Sequence, residues 1–158
     1  MSKKQKKDRR DRRYVPRTRE TIKLRYEPWR LKSSFDPLLG IVTQLEQEYT
    51  LDVTGEDDQP IFLDLATGKW HDTPAALLGF IELFEMFETR FNQPLPLDPL
   101  RVLHTKILGN EPIDNRETRA VRESATAMYN ACLDITIEQM DELVQDYKLR
   151  EALNGNIM

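Results

Sequence analysis

A chain of 158 residues is the size of one ordinary domain, and its single cysteine, Cys132, excludes an internally stapled secreted scaffold and points to a reducing, cytoplasmic compartment. No apolar run approaches the roughly 18 residues that span a bilayer, and no uninterrupted apolar stretch follows the charged N-terminus, so a soluble, unprocessed chain without membrane partners is expected. The net charge of −4 conceals a division: of 23 basic and 27 acidic residues, ten basic and two acidic fall in residues 1–19, leaving 13 and 25 for 20–158, a +8 arm on a −12 body.

The arm opens MSKKQKKDRRDRR. Like charges at this density repel and bring no apolar residues to bury, so residues 1–19 are expected as a disordered basic arm and 20–158 as a single compact domain. Lys3, Lys4, Lys6, Lys7, Arg9, Arg10, Arg12 and Arg13 are the candidate nucleic-acid contacts, made to phosphates and without sequence preference. In a eukaryotic host the same run would read as a nuclear address.

After the arm, TIKLRYE alternates Ile22, Leu24 and Tyr26 with charged residues and predicts a half-buried strand that Pro28 ends. Trp29 follows and is read as a core anchor; its rival role is a base-stacking platform among Arg25, Arg30 and Lys32. FDPLLG, HDTPAALL and LDPLRVL each announce a helix, with Asp36, Thr73 and Asp98 as N-caps and Pro37, Pro74 and Pro99 at the first helical position. Asp114 with Glu117 and Thr136 with Gln139 resemble capping boxes. Helices are therefore expected near 36–48, 73–91, 98–108, 114–133 and 136–153. Between the first two, Tyr49, Leu51 and Val53, then Ile61, Leu63 and Leu65, form the arms of a β-hairpin. A lone hairpin is marginal in water, and residues 21–27 are the expected third strand. The fold class is mainly α with a small antiparallel β element (α+β).

In the second helix Leu77, Phe80, Ile81, Phe84, Phe87 and Phe91 leave only a narrow strip of Glu82, Glu85, Glu88 and Thr89, which places this helix in the middle of the core. The last two helices are expected to pair as an antiparallel hairpin, the stripe Val121, Ala125, Met128, Cys132 and Ile135 facing Met140, Leu143, Val144 and Tyr147. Arg116, Arg119 and Arg122 form a basic cluster on the opposite face, a possible secondary patch for phosphate or an acidic partner, or a solvated face.

Two histidines, His71 and His104, and one cysteine make no zinc motif, and His104 falls on the apolar side of its helix. Asp52, Asp57, Asp58, Asp64 and Asp72 lack the spacing of a calcium loop. ATGKW lacks the flanking Gly and Ser/Thr of a phosphate loop, Ser33, Ser34 and Ser124 lie in no nucleophile motif, and Cys132 sits on an apolar stripe. No catalytic residue, metal or cofactor is expected. In overall style a small, cap-rich body behind a basic arm looks like many accessory proteins of viruses and phages, a likeness that carries no residue across.

The resulting expectation is a non-enzymatic binding or assembly protein. Its arm contacts nucleic acid and its acidic body docks a protein partner or self-associates. The alternative is a protein-protein modulator whose acidic body occupies a basic surface of its partner, with the arm incidental.

Overall fold

The computed structural model describes residues 21–157 except 55–57 and 65–66; for 154–157 the backbone alone is described. Five helices and three short strands lie among these residues: α1 (Trp29–Glu48), β1 (Asp52–Val53), β2 (Pro60–Asp64), β3 (Lys69–Asp72), α2 (Thr73–Phe91), α3 (Asp98–Leu108), α4 (Asn115–Cys132) and α5 (Ile137–Ile157). The architecture is mainly α with a small antiparallel sheet, and one apolar core joins its elements.

α1 begins eight residues before the proline that marks its expected start, and Pro37 lies inside it. An interior proline costs a helix about 3 kcal/mol. The added turns bury Leu31 and Phe35, each 3% exposed, and fully burying such side chains contributes about 1.5–3 kcal/mol apiece, enough to offset that cost. Trp29, at the first turn, is 62% exposed and is not a core anchor. Leu31, two residues on, takes the buried position.

The hairpin forms, with Asp52 opposite Ile61 and Val53 opposite Pro60. Its third strand is β3, paired to β2 from Ile61–Asp72 to Asp64–Lys69, and not residues 21–27. Gly68 takes φ +70° in the turn between them and donates its N–H to the Asp64 carbonyl at 2.7 Å. Phe62 faces the core while Leu63 is exposed, the reverse of the expected face; Leu65 lies outside the described residues. Both faces of IFL are apolar, so alternation alone could not choose between them.

Residues 22–25 instead stitch onto the link between α4 and α5. Leu24 N–H donates to the Ile135 carbonyl at 2.9 Å, Arg25 N–H to Leu133 at 3.2 Å, and Ile137 N–H to Ile22 at 3.0 Å, before Leu24–Tyr26 turn as a short 3₁₀ helix. The link itself is a turn, with Leu133 in the right-handed helical region, and the expected packing of α4 against α5 is replaced by other contacts. α4 packs on α1 and α3, and α5 lies along α2. Val121, Ala125, Met128 and Cys132 are buried as expected, but against different neighbours.

The remaining helices start largely where their caps say. Asp114 Oδ1 accepts from Glu117 N–H at 2.8 Å while Glu117 Oε1 accepts from Asp114 N–H at 3.2 Å. Thr136 and Gln139 make the same reciprocal pair. At α2 the cap is Asp72, whose Oδ1 accepts from Ala75 N–H at 2.9 Å; Thr73 has moved inside the helix, fully buried. At α3, Leu97 holds the cap position and is buried, leaving Asp98 in the first turn.

Candidate functional site: an apolar groove with an acidic rim

Phe35 of α1 meets two aromatic side chains of α2. It stands edge-on to Phe80, with ring centroids 5.3 Å apart and planes at 85°, and lies tilted on Phe84 at 5.7 Å. Beside this contact, where α5 runs along α2, an open groove of about 660 Å³ remains. Its floor is apolar: Leu31 and Phe35 from α1, Leu77 and Phe80 from α2, Met140 and Val144 from α5. Phe80, Met140 and Val144 are only half-buried, so the floor is reachable from solvent. This volume and lining fall within the range of binding clefts.

Polar groups stand around it. Arg30 donates from Nε to Glu27 Oε1 at 3.0 Å, so its charge is already engaged. Ser33 donates its hydroxyl to the Arg30 carbonyl at 3.3 Å. Asp64 and His71 approach from the sheet, His71 Nε2 lying 3.9 Å from Asp64 Oδ2 and its ring tilted against Phe62 at 5.5 Å. From α5 come Asp141 and Tyr147.

Tyr147 crosses α2 at Gly79, where a β-carbon would lie 2.9 Å from the tyrosine oxygen; only a glycine allows this approach undisturbed. Burial, helped by Glu151 and Glu82, pushes the Tyr147 hydroxyl up to about 12. Glu82 is likewise raised above the usual carboxylate range, first by burial and then by Glu151, with Arg150 opposing more weakly. Carboxylates therefore dominate this end of the groove.

The sequence-marked residues distribute differently. Lys3, Lys4, Lys6, Lys7, Arg9, Arg10, Arg12 and Arg13 lie outside the described residues. Of the basic cluster on α4, Arg122 turns to α1, donating from Nε to Glu46 Oε1 at 2.6 Å and from Nη2 to Thr43 Oγ1 at 2.8 Å. Arg116 and Arg119 stay exposed. Helical spacing of three puts these residues on neighbouring positions, and a carboxylate across the α1–α4 contact captures the innermost one. Asp57 lies outside the described residues, and among those described no group of three or more His, Cys, Asp or Glu gathers to hold a metal ion. Cys132 is fully buried, its thiol pushed up to about 12 by burial, and it does not line the groove.

The groove is not legible in the sequence, where periodicity pairs Met140, Val144 and Tyr147 with α4. The signal it does carry is Ala76 and Gly79, two small residues about one turn apart on α2. Comparison with protein-family models, with curated proteins and with solved structures returned no match.

Proposed function

We propose that this is a non-enzymatic binding and assembly protein whose basic N-terminal arm contacts nucleic acid through phosphates while its acidic helical body docks a protein partner. The observation that carries the reading is a continuity of charge and aromatic surface: the +8 arm leads directly into Tyr26, 53% exposed, and Trp29, 62% exposed, with Lys23 and Lys32 exposed beside them. Exposed aromatic rings next to cations offer stacking faces for unpaired bases, while the arm supplies phosphate contacts. The −12 body repels the same phosphates, but a Debye length of about 8 Å at physiological salt confines that repulsion to its own surface. Accessory proteins of viruses and phages are the class this design suits.

The test is binding of single-stranded and duplex DNA and RNA across a salt series. It uses the full chain and a full-length form with Lys3, Lys4, Lys6, Lys7, Arg9, Arg10, Arg12 and Arg13 changed to Ser. With about six phosphates engaged, the logarithm of duplex affinity is expected to fall against log salt with a slope of about −5. Trp29→Ala is expected to weaken single-strand binding about tenfold and leave duplex binding unchanged. Equal binding by the full chain and its neutralised form, or none by either at low salt, rejects the arm as a nucleic-acid tool. The alternative, an acidic modulator of a basic partner surface, would then stand, favoured by the charge of the body.

A further inference from the structure

We propose that the groove between α1, α2 and α5 receives an amphipathic helix of a protein partner, about three turns long, whose apolar stripe enters the groove and whose Lys or Arg side chains lie over its carboxylates. This rests on the reading that the body docks a protein, and it specifies which surface does so and what that surface takes.

Length favours a helix. The lining residues run from Arg30 to Ile41 on α1 and from Ile137 to Tyr147 on α5, and at 1.5 Å per residue each stretch covers about 15–16 Å, the rise of about three helical turns. A stripe of apolar residues at i, i+3, i+4, i+7 and i+11 spans that distance. The floor suits such a guest because its accessible members include Met140, whose flexible thioether adjusts to branched or aromatic side chains, and the apolar Phe80 ring.

Charge complementarity decides the polar face of the guest. Asp64 and Asp141 line the groove, and Glu82 and Glu151 crowd Tyr147 at its end. Against them stand Arg30, held by Glu27, and His71 beside Asp64. An acidic guest would meet repulsion at the Glu82–Glu151 end and no opposing cation there strong enough to reverse it.

The probe is a fluorescein-labelled peptide of about fourteen residues, Leu at the stripe positions and Lys elsewhere, measured by anisotropy against the full chain. Its twin carries Glu in place of Lys. The Lys peptide is expected to bind at least about tenfold more tightly than the twin, and the preference to shrink with salt. Two variants place a cation in the groove. Ser34→Arg lies on an exposed position and Val144→Lys on a half-buried one, and thermal melting confirms that each stays folded. Both are expected to weaken the Lys peptide about tenfold and to strengthen the Glu twin.

Equal binding of the two peptides overturns the charge assignment. Binding of the Lys peptide that ignores both variants means a partner docks elsewhere on the acidic body, which sinks the groove but leaves the proposed function standing. Failure of both peptides, with an apolar fluorescent dye bound and displaced by Val144→Lys, assigns a small apolar ligand instead. Tighter peptide binding by the arm-neutralised form marks the chain's own arm as occupant. A dimer in sedimentation that Val144→Lys dissolves marks a second copy.

Discussion

Cys132 shows how far burial alone sets the chemistry of a side chain. It lies on α4 with no exposed surface, and burial raises its thiol from 9.0 to about 12. The thiol of the unfolded chain ionises first, so the folded state gains most while the group is protonated. That contribution is complete below about pH 9 and is lost as pH rises toward about 12. Two measurements check this. Native protein at pH 8 should resist iodoacetamide and react promptly once unfolded in urea, and Cys132→Ala should flatten the alkaline fall in stability. Native labelling as fast as unfolded labelling would contradict the burial. The helix caps are legible at the same scale, since Asp114 with Glu117 and Thr136 with Gln139 act through neighbours three residues away. Asp72 replaces Thr73 at the cap of α2 because the Thr73 side chain is drawn into the core, a choice no local rule contains.

Among the elements, α1 is where local and tertiary preferences collide. Local chemistry ends or starts a helix at Pro37; the core wants Leu31 and Phe35 on the same helix as Leu38, Val42 and Leu45, and the core wins. Pro37→Ala restores an N–H for the Ser33 carbonyl and removes a ring clash together worth about 3 kcal/mol. It also loses about 1 kcal/mol of half-buried apolar surface and up to about 1 kcal/mol of rigidity in the unfolded chain. The net expectation is a stabilisation of about 1 kcal/mol, read as a rise in thermal midpoint of a few degrees. An unchanged or lowered midpoint would mean that the proline ring is packed more firmly than its exposure suggests. Residues 22–26 carry a second conflict. Leu24 turns inward, 2% exposed, but Tyr26 is 53% exposed, Leu24–Tyr26 turn as a 3₁₀ helix, and the segment finds its backbone partner in the 133–137 link, not in the hairpin. Period-two patterning over three apolar positions fixes neither the extended conformation nor which backbone completes the hydrogen bonds.

For the whole molecule, the charge division predicts that arm and body are thermodynamically separate. Among the described residues the core is assembled from positions 22–143. Deleting residues 1–19 should therefore leave the thermal midpoint nearly unchanged at physiological salt. A clear drop would show that the arm packs on its own acidic body, and such a drop should fade as salt rises.

Composition, periodicity and caps were enough to specify a mainly helical body, four of its five helices nearly to their ends, the hairpin, the burial of Phe84 and Cys132, and the opposed charges of arm and body. Each depends on residues within a few positions of one another or on totals over the chain, which a sequence displays directly. The tertiary structure decided the rest: that β3 completes the sheet, that Phe62 rather than Leu63 faces inward, that Trp29 is exposed, that Arg122 is spent on Glu46, and that α5 lies along α2. The groove belongs to this second group. It is the space left where Phe35 of α1 meets two aromatic side chains of α2 while α5 packs along α2, and a space between elements is set by how they pack, which no single segment encodes.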